Sequence, residues 1–306
     1  MTGHIVVGYT ATKQGRDAVA FAARLAAATD AVLDVATILP SPDRSVITPP
    51  DASYDRYLHA QAQQWIARAI DRIPAEVIAH AHVRTAESFA EGLVTVAGEL
   101  AASYIVVGAA DGASRGQHRL GSTTTELLHF SDVPVVLVPR GARKVAPETG
   151  ISRVTVAIGV RPGADALITE AAELAHTVGI PVRLLSLLPV DLPANADPGA
   201  IRIASTTRAD DVLAAAQAEL PSGLSTDVVV AAGDSIEEAV SYLDWRPGEV
   251  VLVGSSRLAQ PRRLFLGSTA AKMLREITVP VIVVPRTRST AGSTETGSTP
   301  MKEQEQ

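Results

Sequence analysis

The chain repeats itself. Tyr104-Ile-Val-Val-Gly108, a loop, Leu120-Gly-Ser-Thr123 and Val133-Pro-Val-Val-Leu-Val-Pro139 recur as Val250-Val-Leu-Val-Gly254, a loop, Leu266-Gly-Ser-Thr269 and Val279-Pro-Val-Ile-Val-Val-Pro285. The offset is constant: 254 − 108, 267 − 121 and 280 − 134 each give 146, with no gap across the segment. Self-similarity at a fixed long period makes each copy a structural unit, and architecture follows before any single residue is interpreted. With 306 residues, 46% of them hydrophobic, each copy is long enough to bury its own core.

Each copy opens on a β-branched run, Ile5 to Tyr9 and Val154 to Ile158, and continues into an alanine-rich amphipathic stretch, Asp17 to Ala28 and Asp165 to Val178. Apolar runs bounded by turn residues and alternating with helical periodicity predict βαβ units around a buried parallel sheet. In the first copy the pattern predicts strands near 4–9, 31–38, 76–83, 103–108 and 133–138, and helices near 14–29, 52–73, 86–100 and 121–131. In the second it predicts strands near 152–159, 181–188, 226–231, 249–254 and 279–284, and helices near 163–178, 199–219, 234–244 and 267–276. The expected domains are therefore 1–140 and 151–286, two tandem doubly wound α/β units. Between them, 141–150 is rich in Gly, Pro and charge and is expected to be a surface linker. The Ser/Thr/Gly-rich stretch 287–306 has almost nothing to bury and is expected to be disordered. The stretches Pro40 to Pro50 and Pro189 to Pro198 are expected as loops after the second strand of each copy.

The closing strands carry an assembly signal. Pro134, Pro139, Pro280 and Pro285 lack an N–H, which places these strands at the edge of their own sheets. An open edge of consecutive Val, Ile and Leu is adhesive, so the economical arrangement pairs the two closing strands with each other across a pseudo-twofold axis. The same surface logic admits a homodimer of the tandem chain.

The 33 acidic side chains outnumber the 27 basic ones, and no basic cluster follows the pattern of a phosphate-backbone track, which argues against nucleic acid as a partner. There is no cysteine, so disulfides, thiolate metal sites and cysteine nucleophiles are excluded. The N-terminus shows no signal-peptide pattern, and the apolar stretch Leu93 to Ala110 is broken by Glu99 and Ser103. These features predict a cytoplasmic protein without a membrane partner.

In an open parallel sheet, ligands bind beyond the carboxyl ends of the strands where strand order reverses. Gly108 and Gly254 sit at such ends, and the Gly121-Ser122-Thr123 and Gly267-Ser268-Thr269 segments then open helices. Unpaired N–H groups and the positive end of the dipole favour an anion there. A plainer alternative makes Ser122 and Ser268 helix N-caps, with the glycines allowing close packing.

Between Gly108 and Gly121, and again between Gly254 and Gly267, the chain resembles the signature of the universal stress protein family, a Gly-rich loop closing on Gly-Ser/Thr and followed by a Pro-Val strand. The resemblance covers almost the whole chain, in the tandem form. It implies an adenine nucleotide alpha hydrolase-like fold, five parallel strands per domain in the order 3-2-1-4-5, pairing through strand five, and a stress-response role in the cytoplasm. Some members of the family bind ATP in this loop; others do not.

Four positions depart from the nucleotide-binding pattern. The second glycine of the signature is Asp111 in the first copy and Arg257 in the second, where a side chain crowds the approach to phosphate. The acidic residue that ATP-binding members use to hold ribose aligns with Thr10 and Gly159. Arg257, Arg262 and Arg263 surround the second loop and offer cationic partners. The first loop has Arg115, His118 and Arg119, with Asp111 opposing them. The nucleotide reading therefore centres on the second copy. Gly254, Gly267, Ser268 and Thr269 meet the phosphates of ATP with its magnesium, and ribose and base lie near Gly159 and Ser186. The counterparts in the first copy are Gly108, Gly121, Ser122, Thr123 and Thr10. The other reading is an interaction module without nucleotide, acting as a dimer or on a partner protein. No residue presents itself as a general base, so hydrolysis is expected to be slow at most.

Other signals carry less. Gly112-Ala-Ser114-Arg-Gly116 matches the hydrolase nucleophile pattern, but Ser114 lies past the strand and before the helix, and the second copy has Gln260 there. His80 and His82 share one face of a predicted strand without an evident third ligand. Glu237-Glu238 and Asp210-Asp211 sit early in predicted helices, where acids suit the dipole.

Overall fold

The computed structural model describes residues 3–41, 52–159, 164–188, 198–255 and 266–285. The loops expected at 40–50 and 189–198 fall almost entirely outside the described residues, as does the stretch 287–306. The first copy runs β1 (His4–Gly8), α1 (Lys13–Thr29), β2 (Val32–Pro40), α2 (Ala52–Ile70), β3 (Ala79–Ala86), α3 (Phe89–Glu99), β4 (Tyr104–Gly108), α4 (Ser122–Phe130) and β5 (Val135–Val138). The second runs β6 (Arg153–Ile158), α5 (Asp165–Val178), β7 (Val182–Leu187), α6 (Pro198–Glu219), β8 (Thr226–Ala231), α7 (Ile236–Ser241), β9 (Glu249–Gly254), α8 (Ser268–Glu276) and β10 (Val281–Val284).

The strand order β3-β2-β1-β4-β5-β10-β9-β6-β7-β8 is one ten-stranded sheet. Each half is parallel in the expected order. The halves join through β5 and β10, which pair antiparallel with Val135, Val136 and Leu137 opposite Val283, Ile282 and Val281. Every strand residue at this seam is buried, so the apolar edges cover one another as the proline-flanked sequence requires.

Central strands are buried on both faces because helices cover both. Phe21 and Leu25 of α1, Ile66 of α2, Leu174 of α5 and Leu213 of α6 pack on one face, in a core continuous across the two copies. Leu93 of α3, Leu127 of α4, Val240 of α7 and Met273 of α8 pack on the other. This is why Tyr104–Gly108 of β4 and Val250–Gly254 of β9 read as unbroken apolar runs, whereas the outermost strand β3 alternates with polar residues and β8 is only partly buried. Two helices are capped in the same way: Glu91 N–H donates to the N-cap Ser88 Oγ (3.1 Å), and the N–H of Glu87, one residue before the cap, donates to Glu91 Oε2 (3.2 Å). In the second copy Glu238 N–H donates to Ser235 Oγ (3.0 Å) and Asp234 N–H to Glu238 Oε2 (2.7 Å). Glu238 thus closes a cap, and its neighbour Glu237 accepts from Arg275 at 3.2 Å.

β3 begins three residues later than its hydrophobic pattern predicts. Pro74 follows the end of α2, and Val77 N–H turns back to the Pro74 carbonyl (3.0 Å), so the chain is still turning where a strand was expected.

The segment 141–150 runs along the surface and is tied down there. Asp17 of α1 is fully buried and accepts from Gly141 N–H (2.8 Å), Arg143 N–H (3.1 Å) and the Arg143 guanidinium (2.8 Å). Arg24 Nη1 donates to the Val145 carbonyl (3.0 Å), and Ala142 is buried. This surface connection, folded into two 3-10 turns at Ala142–Lys144 and Pro147–Thr149, is pinned to α1 by these hydrogen bonds. Among the described residues no helix is long and apolar enough to cross a membrane.

Candidate functional site

The two Gly-Ser-Thr loops begin alike and then differ. Gly121 and Gly267 are the N-caps of α4 and α8, in extended backbone (ψ 179° and 163°) and without a side-chain cap. Ser122 and Ser268 are already the first helical residues, which corrects the expectation that they cap: a residue with helical torsions places its hydroxyl beside the turn instead of across it. The first-turn N–H groups of both helices therefore lack a side-chain cap, and the positive end of each dipole is presented with Thr123 and Thr269 beside it.

Beyond that helix end the first loop is closed on itself. A Cβ built on Gly108 would lie 2.4 Å from the Gln14 carbonyl oxygen, so the first turn of α1 occupies the space over the end of β4. Gln14 Nε2 donates to Asp111 Oδ1 at 2.5 Å. Gly112 and Gly116 adopt φ of 79° and 81°, which only glycine tolerates easily, and Arg119 lies against Gly112. Arg140 closes the turn, donating to the Ala113 carbonyl (2.5 Å) while its own carbonyl accepts from Gly116 N–H (2.9 Å). Ser114 sits midway along this loop, its N–H bonded to Gln117 Oε1 (3.1 Å), and not on a strand-to-helix elbow.

The same loop docks on the second copy. His118 Nε2 donates to the Val279 carbonyl at 2.8 Å, immediately before β10, and Gly116 faces Thr278. Desolvation lowers the His118 pKa to about 4, against the smaller opposing effect of the bond to Val279. Because the folded value lies below the unfolded one, the unfolded chain takes up the proton first. The contribution of His118 is complete above about pH 6.5 and is lost as pH falls toward 4, a change on the order of 2 kcal/mol for a group still partly open to water. Thermal melts between pH 7.5 and 4.5 should therefore show a steeper loss of stability in the wild type than in His118→Asn; equal slopes would contradict this placement.

At the matching place in the second copy, residues 160–163, which include the counterpart of Gln14, and 256–265 lie outside the described residues. Gly254 ends β9, and among the described residues the nearest atom to a Cβ there is Leu167 Cδ2 at 4.0 Å, while none comes within 4 Å of one on Gly159. Ser186 is buried in β7 next to Ile158, at the carboxyl end of the sheet. Arg257, Arg262 and Arg263 lie outside the described residues. Thr10 is exposed and its hydroxyl meets Thr12 Oγ1 (3.1 Å), the residue that caps α1. Of the expected first-loop cations, His118 is thus bonded to Val279, while Arg119 lies beside Gly112 and Arg115 beside Gly141.

Two buried polar clusters escaped the sequence reading. In the first copy Asp34, fully buried in β2, accepts from His4 Nδ1 (2.7 Å) and His82 Nε2 (2.7 Å), with His80 Nδ1 3.7 Å away. The signal was a lone acid inside an apolar strand. In the second copy Glu249 is fully buried at the start of β9, 2.6 Å from both Arg153 Nη2 and Arg183 Nη2, and Thr155 Oγ1 donates to it. Pairing registers make these the same location, since Ile5 faces Tyr104 as Val154 faces Val250, and Val6 faces Asp34 as Thr155 faces Arg183. A buried acid in one copy is replaced by a buried base in the other.

The family model for the universal stress protein family matches residues 1–139 and again 150–285. The chain belongs to the universal stress protein family. Universal stress proteins of Mycobacterium bovis and Mycobacterium tuberculosis are each 30% identical to it over 301 residues, covering 92% of this chain and 99% of theirs. Among solved structures, a universal stress protein from Archaeoglobus fulgidus superposes with a TM-score of 0.65 at 17% identity, covering 93% of this chain and 98% of that one. A functionally unknown protein from Pseudomonas aeruginosa gives 0.57 at 15%, covering 93% of each. These likenesses show that the tandem fold is shared by this universal stress protein and its structural neighbours.

Proposed function

We propose that this universal stress protein is a cytoplasmic stress-response module that binds one adenine nucleotide per chain, at the Gly-Ser-Thr loop of the second copy. The observation that carries the reading is the closure of the first loop, where Gly108 is backed by the Gln14 carbonyl at 2.4 Å and Gln14 holds Asp111 at 2.5 Å, which leaves the second loop as the nucleotide site. The uncapped helix N-terminus at Gly267, Ser268 and Thr269 suits a polyphosphate. Arg257, Arg262 and Arg263 belong to the same loop in sequence and supply cationic partners, with ribose and base toward Gly159 and Ser186. Thr10 and Gly159 stand where a carboxylate would hold ribose, so magnesium arrives with ATP and affinity comes mainly from phosphate contacts.

The first copy, with Gly108, Gly121, Ser122 and Thr123, serves as a docking element through His118. Calorimetric titration with ATP and identification of any nucleotide released on denaturation test the reading. A single saturable site per chain is expected; no heat at millimolar ATP together with no released nucleotide would overturn it and leave the ligand-free interaction module.

A further inference from the structure

A cavity lies on the helical face of the first copy, between α1, the end of α2 and the pinned connection to the second copy. Its volume is about 220 Å³, about seven water volumes and room for an organic molecule of about ten non-hydrogen atoms. The cavity exists because α1 turns a stripe of small residues, Ala20 and Ala23, toward Ala69 of α2.

Four arginines line it: Arg16 and Arg24 on that same stripe, Arg72 after α2, and Arg143 on the connection. Among the described residues only Arg143 forms an ion pair, with Asp17. Arg24 is the telling member. It is 5% exposed, it gives one hydrogen bond to the Val145 carbonyl, and its buried Nε has no partner. Desolvation lowers its pKa from the ordinary value, and the facing Phe21 ring, 5.7 Å away, gives only weak compensation. A buried cation without a carboxylate is costly unless an anion completes it.

The repeat shows that this is not a shared feature of the scaffold. The αL residues ending α1 and α5 are Asp30 and Gly179, and 179 − 30 gives the same 149 offset as Val154 − Ile5. Arg16 and Arg24 therefore correspond to Asp165 and Glu173. Arg16 and Arg24 are peculiar to the first copy, on the helix face.

We infer that this cavity binds a small organic anion, a carboxylate or phosphate headgroup on a short apolar body. The head pairs with Arg24 and Arg72, and the body lies against Val19, Ile73 and Val145. Binding here is independent of nucleotide at the second loop.

Calorimetry on the full chain with octanoate, phenyl phosphate and octanol tests this. Saturable binding of at least one of the two anions, at least about tenfold tighter than octanol, is expected, and whichever anion is preferred identifies the headgroup. Arg72→Ala, which removes an exposed side chain without an ion pair, should weaken the anion at least about fivefold. Arg24→Leu should abolish binding, and Gly254→Val should leave it unchanged. No binding of either anion at millimolar concentration, octanol binding as tightly, or undiminished binding in Arg72→Ala would each overturn the assignment.

Discussion

Glu249→Gln should lower the unfolding free energy by about 3–5 kcal/mol, because it removes the only carboxylate between two buried guanidinium groups. Arg153 and Arg183 are each 4% exposed, and both bond to Glu249 at 2.6 Å. Arg246 N–H also donates to Glu249 Oε2, at 3.0 Å, so the loss reaches the turn that leads into β9. The nearby pair Arg246–Asp244 provides the control: both side chains are more than half exposed, and Arg246→Ala should change stability by less than about 1 kcal/mol. Urea unfolding of the two variants measures the difference, and similar midpoints would contradict the assignment of this cluster as the keystone of the second copy.

Asp17→Ala should cost about 3 kcal/mol and free the connection between the copies. It removes the acceptor for three hydrogen bonds and leaves the N–H groups of Gly141 and Arg143 without their partner. Asp17→Asn keeps one acceptor oxygen and should lose roughly half as much. Limited proteolysis distinguishes this from a general loss of stability: cleavage near residues 141–150 should rise in Asp17→Ala under conditions where the wild type resists. Unchanged cleavage would mean that the seam of β5 and β10 alone holds the connection.

Much of the scaffold was readable from the chain, for reasons visible in single elements. β4 and β9 are buried on both faces, so they appear as apolar runs, and their duplication at a constant offset fixed the register of both copies. The prolines around β5 and β10 signalled edges, and apolar edges demanded a partner, which the antiparallel seam supplies. What could not be read were contacts set by three-dimensional proximity. Nothing in the spacing of Asp17 and Gly141 marks them as partners. The buried clusters were hidden by the repeat itself: comparing the copies exposes what they share, and Asp34 against Arg183 is a difference.

The loops show the same limit from the other side. Ser122 and Ser268 looked like caps because serine before a helix so often is one, yet the glycine one residue earlier already supplies the extended backbone at the N-cap. Asp111 was legible as a departure from the family pattern, but its bond to Gln14 was not, and that bond is part of how the first loop closes. His118 looked like a candidate anion partner and is instead a donor to the other copy.

The central claim is that a symmetric scaffold carries asymmetric loops, with one of them open to a nucleotide. Gly254→Val tests it most directly, because Leu167 Cδ2 at 4.0 Å is the nearest atom to a Cβ there among the described residues. The account predicts one ATP per wild-type chain by calorimetry, and a Gly254→Val protein that keeps its melting temperature while losing at least about tenfold in ATP affinity. Two ATP per chain, or full ATP affinity in Gly254→Val, would contradict it.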